Sequence, residues 1–249
     1  MKTNTCSNTE IDAIAHQIIR QYFEENNFHA FILEEEKDIE ISAFIAQWLA
    51  YGKREMFLRV LDTLGKEMGD SPYIYIEKQQ YLHHHNDTSN LYRFYTHEDY
   101  YMLCEALYKI YITQGKGKKT MQEILKEKIG DKTTNYKLVL ETLISLFPNI
   151  KGVPQNLTSA CKRLCMFLRW MVRNDGIVDF GLWDILPVEQ LVIPVDTHVF
   201  KQSKRLGLCN RNTASFATSV EITENLKKLI PHDPVLADFA LFGMGVEKK

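Results

Sequence analysis

The chain has 249 residues, 45% of them hydrophobic, enough for one large core or two modest ones. Thirty Lys and Arg stand against thirty-two Asp and Glu, so the formal net charge is −2. That balance counts against a protein that coats DNA non-specifically, because counterion release rewards a surplus of cations. It still allows one locally basic face.

Helical periodicity runs through the chain. Ile11, Ile14, Ile18, Tyr22 and Phe23 form a first apolar stripe behind a Thr9 cap. Ile41, Phe44, Ile45, Trp48 and Leu49 form a second, ended near Gly52, and Phe57, Val60, Leu61, Leu64 and Met68 a third, ended by Gly69. Ser71-Pro72 suits a helix start, with proline in the first turn. Thr96 to Asp99 resembles a capping box with Asp in place of Glu, ahead of a stripe that Gly115 breaks. Thr120 opens a helix through Ile129, closed by Gly130. Tyr136 to Phe147 forms another, ended by Pro148. Helices near 159–174, 197–206, 214–230 and 234–243 complete the series. No strand-like alternation persists, so the expected fold class is all-α. The softest segments are 83–90, 115–119, 148–158 and 174–181.

Five cysteines, odd in number and widely spaced, suggest no disulfide framework. Cys161 and Cys165 could share a helical face, but two ligands make no zinc site. Met1 to Glu10 is polar, which is unlike a signal sequence, and no apolar run approaches a membrane span. The expectation is a soluble, cytoplasmic protein with reduced thiols, no cofactor and no metal. His83-His84-His85 invites a metal reading, but neighbours on a helix point about 100° apart. The triplet is therefore expected in a solvated loop.

Pro194-Val195-Asp196-Thr197-His198-Val199-Phe200, followed by Lys201 to Leu208, is the most informative stretch. Pro194 holds the entering chain extended. Asp196 can cap a helix. Val199, Phe200 and Leu206 can share one face, and Gly207 stands where a left-handed terminator is wanted. A carboxylate so placed can face a cationic transition state, or it can do nothing but cap. Basic residues flank it. Lys151, Lys162, Arg163, Arg169 and Arg173 lie in a stretch without acids, as do Lys201, Lys204, Arg205 and Arg211. Solvated helix faces and a phosphate track are both compatible with this.

The Val-Asp-Thr-His segment resembles the helix-hairpin-helix-GPD superfamily of DNA glycosylases, of the endonuclease III type. Val220 to Pro231 and Phe239 to Gly245 look like the helices that follow it there. Over most of its length, including Lys162-Arg163-Leu164 and Met166 to Arg173, the chain resembles a narrower uncharacterised bacterial family, domain of unknown function 2400. The broader resemblance implies a two-lobed helical fold with a central cleft, here 28–174 as one lobe and 1–27 plus 175–249 as the other. It implies Asp196 as the catalytic carboxylate of base excision and damaged duplex DNA as partner. It implies no iron–sulfur cluster, since only Cys209 follows Asp196. A monomer is expected.

The family's phosphate-gripping hairpin is degraded to Lys151-Gly152-Val153-Pro154, then Thr158-Ser159-Ala160. Pro154 has no N–H to donate. Gly152, Thr158 and Ser159 could still form a variant anion site, or a turn and a cap. Lys162 is the nearest counterpart of the Schiff-base lysine of bifunctional relatives, but it falls inside the expected helix, so a water-using monofunctional enzyme is the default. Arg169 and Arg173 share a face and suit either phosphate or ion pairs with Asp175, Asp179 or Asp184. Gln47, Trp48, Trp170, Phe180 and Trp183 are candidates for a pocket around a flipped base, or core residues. His198 reads as a satisfied structural histidine. Two other readings stay open on the same scaffold: a nucleic-acid-binding protein without chemistry, and a helical interaction module.

Overall fold

The computed structural model describes residues 35–175 and 178–246. The expected first helix, from Thr9 to Phe23, lies outside the described residues, as does Cys6. Among them the protein is mostly helical, with one small two-stranded sheet. No helix of the described residues is long and apolar enough to cross a membrane. They divide into two compact units, one running to Asn156 and the other beginning at Leu157.

The first unit opens with α1 (Glu36–Leu49), α2 (Arg54–Met68) and α3 (Pro72–Glu77). A 3-10 turn (Gln80–His84) leads to strands β1 (Asn90–Tyr92) and β2 (Tyr95–Thr96). Then come α4 (His97–Tyr108), its π-helical continuation (Lys109–Gln114), α5 (Met121–Ile129) and α6 (Tyr136–Ser145). The α1 stripe of Ile41, Phe44, Ile45, Trp48 and Leu49 is fully buried. Phe44 stacks on Phe147 with ring centroids 3.9 Å apart, and Trp48 stacks on Tyr95 at the same spacing.

Two buried carboxylates of α1 organise this unit. Asp38 accepts from the Tyr73 N–H at 2.7 Å and the Ser71 hydroxyl at 2.9 Å, at the start of α3. Glu40 accepts from the Met121 N–H at 2.8 Å, the Gln122 N–H at 3.2 Å and the Tyr111 hydroxyl at 2.9 Å, at the start of α5. Each puts negative charge at the positive end of a neighbouring helix, where free N–H groups need acceptors. The predicted caps form. Ser71 accepts from Ile74 N–H, and Thr96/Asp99 and Thr120/Glu123 are both reciprocal capping boxes.

The second unit contains α7 (Lys162–Val172), a 3-10 turn (Val188–Gln190), α8 (Thr197–Arg205), α9 (Phe216–Lys227) and a 3-10 turn (Pro234–Leu236) that runs into α10 (Ala237–Val246). Helices α8 and α10 pack together. The His198 ring lies edge-on to Phe242, its Nδ1 is 3.2 Å from the Gly245 carbonyl, and Gln202 Nε2 donates to the Met244 carbonyl at 3.2 Å.

The helical class holds among the described residues, with one small β1–β2 ladder whose strands of three and two residues are too short to show alternation. Three expectations need correction. The segment 83–90 is not simply a solvated loop, because the 3-10 turn buries His84. Helix α7 starts at Lys162 rather than near 159, within the unit that begins at Leu157. Leu206 is 51% exposed, so only Val199 and the half-buried Phe200 of its expected stripe turn inward.

Candidate active site

The strand-like segment Leu191 to Val195 is buried throughout. Its Ile193 N–H donates to the Thr223 hydroxyl of α9 at 3.0 Å, and this fixes where the chain enters α8. Asp196 then caps the helix. Its Oδ1 accepts from both His198 and Val199 N–H groups at 2.8 Å. Its Oδ2 lies 3.5 Å from Lys162 Nζ, the first residue of α7. The Asp196 side chain is 17% exposed and the Lys162 side chain 37%. The cap expected of Asp196 is thus formed by one oxygen, and the other faces Lys162.

Lys162 is placed by an unusual turn. Cys161, just before it, has φ 49°, the left-handed region that non-glycine residues seldom adopt. The lysine thus heads the helix rather than sitting within it, contrary to expectation.

A third group was not anticipated. Asp238 on α10 has a 15% exposed side chain and accepts from Arg169 Nη1 at 2.8 Å. Burial pushes its carboxyl up to about 6, against the pull of Arg169 and Lys162, with the Asp196 charge adding to the rise. One sequence signal could have found it: Asp238 is the lone charge in the otherwise apolar helix Ala-Asp-Phe-Ala-Leu-Phe-Gly-Met-Gly-Val.

Arg169 and Arg173 resolve as structural residues. Arg169, 2% exposed, bonds Asp179 through Nε and Nη2 at 3.1 Å, and its guanidinium lies 4.1 Å from the Phe239 ring centroid. Arg173 bonds Asp233 at 2.7 Å, and Asp175 and Asp179 at 2.8 Å. Burial raises the Asp179 carboxyl, opposed by both arginines. These guanidiniums are buried and paired with carboxylates, the ion-pair arrangement of the two the sequence left open. Their expected partner Asp184 is not among the acids they bond; Asp233 and Asp238 are. Arg163 is half-buried, and Lys201 and Lys204 are exposed, with Lys204 bonding Asn212 at 2.8 Å.

The other candidates separate. Thr158 and Ser159 are exposed just ahead of α7. Ser159 bridges to Ser215, and its Oγ is 3.6 Å from Cys161 Sγ. Gly152 belongs to the first unit, with φ 84°, and a Cβ there would collide with the Tyr95 hydroxyl. Its glycine is required by backbone and packing. Trp48 is core: fully buried, stacked on Tyr95, its Nε1 donating to the Lys151 carbonyl at 2.7 Å. Gln47 is buried beside it in α1. Trp183 is buried edge-on to Phe167, centroids 5.4 Å apart. Trp170 is half-buried and Phe180 exposed, so of the aromatic candidates these two present ring surface. The four described cysteines form no disulfide among the described residues and are buried, and burial raises their thiols.

Residues 28–247 match a family profile described as protein of unknown function (DUF2400). No curated protein and no solved structure gave a match.

Proposed function

The chain belongs to that family of unknown function, and we propose that it hydrolyses base–sugar N-glycosidic bonds in damaged duplex DNA on a helix-hairpin-helix-glycosylase type of scaffold, with Asp196 as the catalytic carboxylate. The observation that carries this reading is the division of labour within Asp196. Oδ1 is held by two backbone N–H groups, which fixes the carboxylate, while Oδ2 faces Lys162 at the surface.

The chemistry follows from charge. As the C–N bond breaks, the base leaves with the bonding electrons and takes up a proton, and the sugar carbon becomes cationic. A preorganised carboxylate stabilises that charge more than it stabilises the neutral substrate, which is what lowers the barrier. Water then bonds to the sugar carbon, and Asp196 orients it and receives its proton. Lys162 occupies the position of positive charge beside Oδ2. Its partial exposure leaves it room to turn outward to a phosphate when the sugar takes that place. Thr158, Ser159, Arg163, Lys201 and Lys204 are the remaining candidates for backbone contacts.

Binding without chemistry is the weaker reading. Two cations it would use, Arg169 and Arg173, are enclosed by carboxylates. The test is single-turnover base release from duplexes carrying uracil, 8-oxoguanine, alkylated purines or oxidised pyrimidines. Release by the parent protein supports hydrolysis. No release from any duplex by folded protein, together with intact binding, would leave the binding reading.

A further inference from the structure

The sequence expectation for His83-His84-His85 fails in an informative way. The rings of His83 and His84 lie side by side, centroids 4.0 Å apart, and both turn to one carboxylate oxygen. His84 Nε2 is 2.9 Å and His83 Nε2 3.4 Å from Oε1 of Glu67, near the end of α2. The three ligand atoms lie within 4.8 Å of one another. The 100° separation of neighbouring residues applies to the backbone; side-chain torsions bring the ring tips back together.

The hydrogen bonds assign protons. His83 Nδ1 is 2.9 Å from the Gln80 carbonyl, which can only accept, so Nδ1 carries the hydrogen. In the neutral ring, Nε2 then presents a lone pair to a carboxylate oxygen. Two lone pairs facing one another need a cation between them. His84 is backed in a similar way: its Nδ1 is 2.8 Å from Nδ1 of His97, the first residue of α4, and the two rings stack 4.8 Å apart. A ring nitrogen bonded behind, with its opposite nitrogen aimed at a shared point, is the usual dress of a metal-binding histidine. The Tyr75 hydroxyl also bonds Glu67 Oε1 and orients the carboxylate.

We propose that Glu67 Oε1, His83 Nε2 and His84 Nε2 bind one divalent transition-metal cation of the zinc class, with solvent in the fourth position. Two imidazoles and one carboxylate suit zinc or cobalt, whereas calcium and magnesium take oxygen donors. Ligands on a tetrahedral zinc are about 3.3 Å apart, and the two nitrogen–oxygen spacings here bracket that value. His83 is 58% exposed, which leaves an entry path and an open position. The ion would tie the end of α2 to the 3-10 turn, and through His97 to the start of α4. The cluster lies wholly within the first unit and is independent of the chemistry proposed for Asp196.

The experiment uses the full chain, free of any affinity tag and stripped with a chelator. Zinc is titrated calorimetrically, and cobalt is followed by its visible d–d absorption. The expected result is one ion per chain, tetrahedral cobalt bands, and a melting temperature that rises with zinc. His97→Ala should weaken binding by about 10–100-fold and His83→Ala by more, while His85→Ala leaves it unchanged. Because His83 is exposed, its replacement tests the site even if Glu67→Gln or His84→Ala fails to fold. Absence of cobalt bands, or equal affinity in the parent and His83→Ala, would overturn the proposal and leave His83 as a side chain packed beside Glu67.

Discussion

Asp196 caps α8 with Oδ1 alone, and at the scale of single residues this is what makes it a candidate catalyst as well as a structural acid. Asp238 adds a titration. Its carboxyl stands at 3.8 in an unfolded chain and about 6 in the fold. Between those values the folded protein holds a proton that the unfolded chain does not. Stability from this group is therefore lost as pH rises through the window. Asp238→Asn removes the titration, so its melting temperature should gain on the parent's as pH rises from about 4 to about 7. Parallel curves would show that Asp238 does not titrate there. Arg173 is the other residue with a definite expectation. Arg173→Met takes the guanidinium from Asp233 and Asp175 and one of the two from Asp179, which keeps Arg169, and the loss in denaturant-measured stability should be about 3–5 kcal/mol. The residues legible in the sequence were those whose partners are local, as with Asp196 and its own helix. Arg169 was legible in part: its pairing with Asp179, ten positions on, was one of the two readings the sequence left open, whereas its second partner Asp238 lies 69 positions away. Arg173 meets Asp233 from 60 positions away, and His84 meets Glu67 from 17.

At the scale of elements, helix starts were readable because capping is short-range chemistry. Ser71, Thr96, Thr120 and Asp196 all cap where the sequence placed them. The β1–β2 ladder escaped notice for lack of length. The Lys151-Gly152-Val153-Pro154 turn was read as a worn phosphate hairpin, yet Gly152 has a sufficient structural reason in its φ of 84° and the Tyr95 ring beside it. Gly152→Ala should cost about 1–3 kcal/mol, because the left-handed backbone and the clash act together. Tyr95 cannot retreat easily, being stacked on Trp48. Urea unfolding of the variant measures this; a loss below a few tenths of a kcal/mol would mean that the turn relaxes freely.

At the scale of the whole molecule, near-neutral charge and two enclosed arginines limit how many phosphates the second unit can neutralise. If the proposed duplex contacts are made by Lys162, Arg163, Lys201 and Lys204, the slope of log affinity against log salt should be no steeper than about −4. A markedly steeper slope would show that other cations reach the backbone. Composition counts against a generic DNA-coating protein, and periodicity gave the helical class, but neither identifies a reaction. In the reaction we propose, the chemistry falls to the few atoms around Asp196 Oδ2. The central claim is tested most directly by measuring, on one releasing duplex, both the single-turnover rate and the affinity of Asp196→Asn. Asparagine retains the cap, so the fold and the affinity should hold within a few-fold while base release drops by about 10²-fold or more. Base release at the parent's rate by folded Asp196→Asn would contradict the account and return Asp196 to the role of a helix cap.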